Sequence, residues 1–393
     1  MLDVVALGII IPVLPPLIES FVGSTARAGW INGVFVALWA GMQFLFSPLM
    51  GALSGRFGRR RVILLSNTGL GLDYLLMAFA PNLWWLAVGR IVSGITSASI
   101  STAFAYIADV TAPEKRAQAF GLIGASFGLG FILGPALGGV LGDIDLRLPF
   151  LAAGVLSLLN AAYSFFVLPE SLKPEHRAPF SVAKANPLGA LTLLASNRGL
   201  LRLAMVNLLS QCAHYVLPAV FALYALHRYG WSPADVGWVL AGVGICAAFV
   251  QGFLTGVVVK RFGERTTLLA GLLFGALGLA VYGLAPTGWA FWTGVPLMSL
   301  WGLAGPSIQS LMTRFVSPSE QGRLQGANMS LGSLVGTVAP IVYGGAFALG
   351  VGTLGLPGAA FFLAAGLQVA AAALAWRASR KVPAAGEGAP AAV

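Results

Sequence analysis

Long apolar runs, separated by short polar or charged breaks, follow one another along almost the whole chain. An α-helix rises 1.5 Å per residue, so about 20 apolar residues cross a bilayer core of about 30 Å. Nearly all the runs have that length, and the pattern predicts twelve spanning helices. They lie at 2–22, 30–53, 62–80, 83–108, 118–141 and 148–168, and then at 199–226, 234–259, 267–285, 288–312, 324–349 and 354–376.

The two groups of six repeat each other at a constant offset of 205 residues. Residues that recur at this offset include Gly51 with Gly256, Arg56 with Arg261, Gly58 with Gly263, Pro81 with Pro286, Pro135 with Pro340 and Gly139 with Gly344. Such a parallel repeat predicts an all-α membrane protein with twelve transmembrane helices in two pseudo-symmetric six-helix bundles. The expected units are an N-terminal bundle at 1–168, a cytoplasmic connector at 169–198, a C-terminal bundle at 199–377 and a disordered tail at 378–393.

The composition supports a membrane protein. Hydrophobic residues make up 58% of the chain and charged residues only 9%, against about 45–50% and about 25% in soluble domains. The net charge of +10 comes from basic residues in short loops, so nucleic acid is not an expected partner. Of the 23 Lys and Arg residues, nineteen lie on one side if the amino terminus is inside. Only Arg27, Arg147 and Arg228 lie on the other side and Arg90 is in a span, so both termini are expected to be cytoplasmic.

Several kinds of chemistry have no sequence signature here. Cys212 and Cys246 both fall within predicted spans, so neither a disulfide framework nor a zinc site is expected. The chain lacks a phosphate-binding Gly-x4-Gly-Lys-Ser/Thr loop and an HExxH motif. We therefore expect no cofactor and no enzymatic activity, with an ion gradient as the driving force for transport of a small molecule across the lipid bilayer.

Two ionisable residues lie deep in predicted spans. Asp73 stands about eleven residues into its span, which is roughly 16 Å and therefore mid-membrane, and Arg90 lies in the next span. A buried charge usually faces a cavity or a partner, and a buried carboxyl favours its protonated form unless a cation opposes this effect. The pair is therefore a plausible proton site. A structural polar contact at Asp73, and neutralisation of Arg90 by backbone carbonyls, are the alternatives.

Small residues mark two further segments. The loop after the second span contains Gly51, Gly55, Arg56, Gly58, Arg59 and Arg60, and its glycines permit a tight turn. The fifth span contains Gly130, Gly134, Pro135, Gly138 and Gly139. Such spacing allows close helix contact and Pro135 kinks the backbone, which suits a span that rocks against its neighbour. A tight helix contact without movement is the alternative.

Side chains that could contact a ligand are fewer. His214 is the only histidine in a predicted span and stands beside Tyr215 and Gln211. It could be a proton carrier or only a hydrogen-bonding partner between helices. Aromatic residues such as Tyr74, Phe221 and Trp301 could line a cavity for a planar ligand.

These motifs resemble those of a known family. The loop at 51–60 resembles the signature loop of the major facilitator superfamily, the fourth span resembles a motif whose arginine is implicated in proton coupling, and 130–139 matches the motif that marks its exporters, chiefly drug/proton antiporters. Five further segments resemble the tetracycline-resistance efflux family: Leu2-Asp3-Val-x-x-Leu-Gly8-Ile-Ile-Ile-Pro12-Val-Leu-Pro15, Gly71-Leu-Asp73-Tyr74, Tyr106-Ile-Ala-Asp109, Leu168-Pro-Glu-Ser171 and Gln321-Gly-Arg-Leu-Gln-Gly326. The resemblance covers essentially all twelve spans.

The resemblance implies roles for particular residues. Asp73, Arg90 and Asp3 would couple transport to protons, whereas Gln43, Tyr74, Gln211, His214, Gln251 and Gln309 would contact the substrate. Three features depart from the family pattern: Gly55 replaces an aspartate, the acid of the ninth span is missing, and Ala247 replaces a histidine. Asp3 is expected at the cytoplasmic edge, where it would favour the helix amino terminus, or deeper if the natural chain is longer.

The expected function is a monomeric, proton-coupled antiporter in the bacterial inner membrane. It would export a drug-like small molecule, plausibly of the tetracycline type, by alternating access between the two bundles. The glycine spacing of the fifth span argues against an uptake symporter for a metabolite, which remains one alternative. A transport-defective binding or sensor protein, motivated by Gly55 and the missing acid, is the other.

Overall fold

The computed structural model describes residues 2–98, 100–112, 116–172, 175, 177, 191–316 and 321–381. Every regular element in this part of the chain is helical, and it contains no strand. The predicted all-α class is therefore confirmed. Cys212 and Cys246 are both free thiols. Most of the predicted connector, and the tail beyond Lys381, lie outside the described residues.

The N-terminal bundle consists of eight helices that form six crossings. They are α1 (Leu2–Ile10), α2 (Leu14–Val22), α3 (Thr25–Phe57), α4 (Arg59–Ala78), α5 (Leu83–Ser97), α6 (Ile100–Val110), α7 (Arg116–Ile144) and α8 (Leu148–Val167). The first crossing is interrupted between α1 and α2, at Pro12. Proline has no backbone N–H and its ring crowds the preceding turn, so the helix breaks there.

The C-terminal bundle follows a short helix, α9 (Leu191–Ala195). Its helices are α10 (Arg198–His214), α11 (Val216–Tyr229), α12 (Pro233–Phe249), α13 (Thr255–Leu284), α14 (Gly288–Ser299), α15 (Ala304–Thr313), α16 (Gln321–Leu349) and α17 (Ala359–Ala378). A π-helical turn at Val250–Leu254 joins α12 to α13, a 3₁₀ turn at Leu300–Leu303 joins α14 to α15, and a second π-helical turn at Gly350–Leu354 follows α16. A 3₁₀ turn at Ser379–Lys381 follows α17, so helical structure extends past the predicted end of the bundle at 377.

The described part of the chain has nine stretches that are long and apolar enough to cross a membrane. One of them, Pro233–Leu284, contains two crossings, because Gly263 turns the backbone between them with φ of 76°. Two further crossings, α4 and the α14–α15 pair, carry more polar residues and fall outside that group of nine. Together these make the twelve predicted crossings.

Arginines cap two equivalent helix ends, one in each bundle. The guanidinium of Arg147 donates to the carbonyl oxygens of Ala78 at 2.8 Å and Ala80 at 3.0 Å. In the other bundle, Nε of Arg228 donates to the carbonyl oxygen of Ala285 at 2.9 Å. Ala285 is the repeat partner of Ala80, and the last carbonyls of a helix have no partner within the helix. Two of the three arginines on the sparsely charged side therefore have a structural role.

The two bundles meet mainly at one end. We call the end with the clustered arginines after α3 the basic end, and the end with Arg147 and Arg228 the opposite end. Toward the opposite end, a Cβ on Gly33 of α3 would overlap the carbonyl of Pro340 in α16, and one on Gly237 of α12 would overlap that of Pro135 in α7. Nearer the basic end, several glycines would have no neighbouring atom within 4 Å of an added Cβ: Gly51, Gly55, Gly128, Gly252, Gly256 and Gly326. The closest described contacts between the bundles therefore lie toward the opposite end.

Candidate functional site

Asp73 of α4 and Arg90 of α5 lie side by side in the interior of the N-terminal bundle. Asp73 is 2% exposed and Arg90 is 7% exposed. A Cβ on Gly89 would lie 3.0 Å from Oδ1 of Asp73, so the carboxyl packs against the turn that carries Arg90. Within the described residues the two side chains form no ion pair at 4.0 Å or less. Arg90 is therefore near enough to attract the Asp73 carboxylate electrostatically, but the two side chains do not form an ion pair.

Several buried polar atoms at this pair lack hydrogen-bond partners among the described residues, whereas Nη2 of Arg90 donates to Sδ of Met77 at 4.0 Å. The atoms without a partner are both carboxyl oxygens of Asp73, Nε of Arg90 and the hydroxyl of the adjacent Tyr74. An ionised carboxylate without a partner costs several kcal/mol in a dry interior. Asp73 can lower that cost either by binding a proton or by moving toward Arg90. This choice between two states is the property that a proton carrier requires.

Asp3 lies in the first turn of α1 and packs toward the interior of the N-terminal bundle. Nδ2 of Asn160 donates to Oδ2 of Asp3 at 2.9 Å, and Oδ1 of Asp3 is buried without a partner. Asn160 stands past the midpoint of α8, and the neighbouring Val4 packs against Gly130 of α7. Of the two positions expected from the sequence, these contacts favour the deeper one, because α1 packs beside the central part of α7 and α8. Asn160 was missed in the sequence; an asparagine in an apolar span was the available signal.

A cavity of about 300 Å³, mostly apolar but with several amide and hydroxyl groups in its lining, lies in the C-terminal bundle between α10, α12, α13 and the α14–α15 pair. Its lining includes the predicted residues Gln211, His214, Gln251 and Trp301. The ring centroid of His214 is 5.5 Å from that of Trp301, and Nε1 of Trp301 donates to Oγ of Ser210 at 2.9 Å. The cavity therefore combines a fixed aromatic wall with hydrogen-bonding groups.

Gln309 is linked to this cavity through the hydrogen bonds of Asn328 and Asn207. Oε1 of Gln309 accepts a hydrogen bond from Nδ2 of Asn328 at 2.9 Å, and Nδ2 of Asn207 donates to Oδ1 of Asn328 at 3.4 Å. Asn207 lines the cavity, whereas Gln309 does not. Asn207, Ser210 and Asn328 were not singled out from the sequence, although amides within apolar runs are unusual enough to have indicated them.

Three other predicted ligand residues lie away from this cavity. Tyr74 is fully buried in the N-terminal bundle, and Phe221 is 3% exposed and stacks on Phe291 with ring centroids 5.3 Å apart. Gln43 is half-buried on α3, two residues from the contact of Gly41 with Thr337. The predicted proton-binding residues thus lie in one bundle, and most of the predicted ligand residues lie in the other. Within the described residues, no group of three or more His, Cys, Asp and Glu side chains could hold a metal ion.

The small residues of α7 hold it between two helices. Gly130 packs against Val4 and Gly134 against Gly8, and an added Cβ at Gly138 would overlap the carbonyl of Ile9. Along the neighbouring face, the Cβ position of Gly139 is 2.9 Å from Cα of Ala234 in α12. Pro135 lies within the same helix. The segment 130–139 therefore brings α1 of one bundle and α12 of the other into backbone contact with α7.

The loop between α3 and α4 joins three of the sequence motifs. Gly58 has φ of 101°, a conformation that favours glycine. Nε of Arg59 pairs with Oδ2 of Asp109 at 3.3 Å, its backbone N–H donates to Oε1 of Glu170 at 2.8 Å, and Oγ of Ser171 also donates to Asp109. The remaining predicted residues lie around this contact: Gly51 and Gly55 face open space, Arg56 stacks over Phe57, and Arg60 stacks over the Phe165 ring.

The equivalent loop of the C-terminal bundle has the same contact with its charges exchanged. Oε2 of Glu264 pairs with Nη2 of Arg314 at 2.6 Å. These positions are the repeat partners of Arg59 and Asp109, and Gly263 has a positive φ like Gly58. In each bundle an ion pair therefore joins this loop to the equivalent neighbouring helix, α6 in one bundle and α15 in the other. The acid and the base have exchanged places between the two pairs.

A carboxylate joins the bundles at the opposite end. Asp143 of α7 accepts hydrogen bonds from Oγ of Ser232 and from the backbone N–H of Ala234, both at 3.0 Å. Ala234 lies in the first turn of α12, where backbone N–H groups have no partner within the helix. Asp143 thus caps a helix of the other bundle.

We expect Asp143→Ala to favour separation of the bundles at this end. Loss of a helix cap costs about 1–2 kcal/mol, which shifts a two-state equilibrium by roughly 5- to 30-fold. Electron spin resonance distances between labels on the ends of α7 and α12 measure the population of separated bundles. Asp145→Ala, two residues further along the chain and without a hydrogen bond to α12 among the described residues, is the matched control. Unchanged distance distributions in Asp143→Ala would show that the cap does not hold the bundles together.

Comparison with known proteins agrees with this architecture. The profile of the Major Facilitator Superfamily matches residues 1–340 and 203–391. The chain is 40% identical over 352 residues to the class C tetracycline resistance protein of Escherichia coli, covering 90% of this chain and 88% of that protein. It is 38% identical over 343 residues to the class G protein of Vibrio anguillarum, with 86% of each covered.

A solved structure shows the same fold. The human organic anion transporter MFSD10 (TETRAN) superposes with a TM-score of 0.69 at 25% identity, covering 95% of this chain and 96% of that one. Fold, repeat and sequence similarity agree over most of the length. The chain therefore belongs to the major facilitator superfamily of membrane transporters and, within it, to the family of the tetracycline resistance proteins.

Proposed function

We propose that this transporter exports a drug-like small molecule in exchange for protons, with a tetracycline-type compound as the plausible substrate. One observation carries the proposal: a buried, unpaired Asp73 beside Arg90 in one bundle, opposite a cavity with aromatic, amide and hydroxyl groups in the other. The similarity to tetracycline resistance proteins supports export over uptake.

Proton coupling follows from the electrostatics of the Asp73–Arg90 pair. In a medium of low dielectric, an ionised Asp73 is attracted to Arg90, and protonation removes that attraction. A ligand or proton shifts a conformational equilibrium only by its difference in affinity for the two conformations. Exchange therefore requires that the proton be held more tightly by one conformation and the substrate by the other.

The cavity in the C-terminal bundle suits a planar, oxygen-rich ligand. Gln211 and Gln251 offer amide donors and acceptors, and the Trp301 ring offers a flat face whose indole N–H is fixed by Ser210. A volume of about 300 Å³ is at the lower end of the range for drug-sized ligands. Movement of the bundles would place this cavity alternately on either side of the membrane.

The proposed topology places the basic end in the cytoplasm, because basic loops are retained there. Both termini would then be cytoplasmic, and the closest contacts between the bundles would lie on the far side of the membrane. The proposed location is the bacterial inner membrane, as a monomer with an N-terminal bundle at 1–168, a connector at 169–198, a C-terminal bundle at 199–377 and a tail at 378–393. The lipid bilayer and the substrate are the proposed partners, with no cofactor.

Inside-out vesicles that contain the protein test exchange directly. After a proton gradient is established, added tetracycline should enter the vesicles, and protons should leave them as a fluorescent pH indicator recovers its signal. A protonophore should abolish both signals, because the gradient is the energy source. Vesicles without the protein are the control. Accumulation that persists after the pH gradient and the membrane potential are collapsed would contradict proton coupling.

The same vesicles distinguish the alternatives. A metabolite uptake symporter would move its substrate out of inside-out vesicles together with protons. A transport-defective binding or sensor protein would bind tetracycline without any flux. The second alternative is motivated by Gly55, which stands where the family has a carboxylate and has no neighbouring atom within 4 Å of its Cβ position.

A further inference from the structure

A second cavity, of about 590 Å³, lies at the opposite end of the C-terminal bundle. It is formed where α11 and α13 end and α12 and α14 begin. The residues that define its chemistry are Arg228, Asp235 and four tryptophans, Trp231, Trp238, Trp289 and Trp292. The proposed transport cycle uses none of them.

Two of the tryptophans are fixed walls. Trp231 packs against Gly288, whose Cβ position is 2.8 Å from the indole ring, and Trp292 packs in the same way against Gly242 at 2.9 Å. A larger residue at either glycine would push the ring into the cavity. The other two, Trp238 and Trp289, are 56% and 84% exposed. Large exposed aromatic side chains at a helix end are typical of the membrane–water interface, so the cavity lies at head-group depth.

Arg228 and Asp235 place opposite charges in this cavity without neutralising each other. Nε of Arg228 is held by the carbonyl of Ala285 at 2.9 Å, and one oxygen of Asp235 accepts from the backbone N–H of Ser232 at 3.0 Å. Both side chains are thus oriented by backbone groups, and no ion pair joins them in the described part of the chain. A ligand that fits both must carry an anion and a cation a short distance apart.

We propose that this cavity binds the head group of a phospholipid that carries a phosphate and an ammonium group, such as phosphatidylethanolamine. Arg228 binds the phosphate, because guanidinium donors match phosphate oxygens. Asp235 accepts from the ammonium, which the faces of Trp238 and Trp289 also attract. A lipid is the favoured source because the two exposed tryptophans lie at head-group depth.

Native mass spectrometry of the purified full-length protein tests the proposal with defined lipids. With equal amounts of phosphatidylethanolamine and phosphatidylglycerol, we expect at least fivefold more bound phosphatidylethanolamine, because phosphatidylglycerol has no ammonium group. Arg228→Gln should lower the binding of both lipids, because both carry the phosphate, whereas Asp235→Asn should abolish this preference. Trp289→Leu, at an exposed position where the fold does not depend on the side chain, should reduce it by severalfold.

Arg147→Gln is the matched control, because Arg147 caps the equivalent helix end of the other bundle. It should keep the full lipid preference. Equal binding of the two lipids by the parent protein, or an equal loss of lipid binding in Arg147→Gln and Arg228→Gln, would overturn the proposal. Displacement of the lipid by soluble glycerophosphoethanolamine as effectively as by the lipid itself would also overturn it, since the cavity would then be a site for a free zwitterion.

Discussion

Asp73→Asn is expected to abolish net drug efflux while leaving drug binding within a few-fold of the parent protein. Asparagine has nearly the shape of aspartate but can neither bind nor release a proton. The variant therefore resembles the permanently protonated carrier, which has lost the attraction between Asp73 and Arg90. We expect proton-driven accumulation in inside-out vesicles to fall to the level of vesicles without the protein, because the proton gradient can no longer drive the exchange.

A binding measurement separates loss of coupling from loss of folding. Tetracycline binding to the purified variant should persist, because the cavity in the C-terminal bundle has no contact with Asp73. Asp145→Asn removes a carboxylate from an exposed loop at the opposite end, and should transport normally. If Asp73→Asn accumulates drug at the parental rate with the same proton release, Asp73 does not carry the proton.

Gly138→Ala is expected to destabilise the protein strongly. The added Cβ would overlap the carbonyl oxygen of Ile9 and lie 2.8 Å from its Cα, so backbone atoms of α1 or α7 would have to move. Overpacking of this kind costs typically 1–3 kcal/mol and sometimes more. We expect the unfolding temperature in detergent to fall by several degrees and the yield of folded protein to fall with it.

Gly128→Ala provides a matched control on the same helix. The Cβ position of Gly128 has no neighbouring atom within 4 Å, and alanine is favoured over glycine in a helix by about 1 kcal/mol. This variant should be as stable as the parent or slightly more stable. An equal loss of stability in both variants would show that glycine in α7 matters for helix flexibility, and that close contact with α1 is not the reason.

The sequence predicted the crossings well but not their interruptions. A run of about 20 apolar residues has few alternatives to a spanning helix, because backbone groups in lipid must be satisfied internally. The breaks between α1 and α2 and between α10 and α11 depend on local packing as well as on composition. The second occurs at Tyr215, three residues before Pro218 in the first turn of α11.

The repeat was also visible in the sequence, whereas the contacts within it were not. Its constant offset indicated that Arg59 and Glu264 occupy equivalent places, and Asp109 and Arg314 likewise. Only the structure showed that Arg59 pairs with Asp109 in one bundle. In the other bundle Glu264 pairs with Arg314, so the positions of the acid and the base are exchanged. A sequence repeat is recognised from identical residues at equivalent positions. An ion pair can be kept when its two residues, about 50 positions apart, exchange their charges together, and such an exchange lowers the similarity at both positions.

Some residues of the candidate site could be selected from the sequence and others could not. Asp73 and Arg90 could be selected from the sequence because a charge in an apolar span is costly wherever the helix packs. The depth of Asp3, the support of Gln309 by Asn328, and the cap that Asp143 provides for α12 could not be selected. These depend on which faces of distant helices meet.

The sequence by itself determined that this protein is a twelve-helix membrane protein with two repeated halves and a few buried ionisable groups, because hydrophobicity and repeat spacing are local and additive along the chain. The tertiary structure alone decided which of those groups become neighbours, where the bundles touch and where cavities remain. Contact between helices is set by shape and close packing over the whole molecule, and no short segment of sequence contains that information.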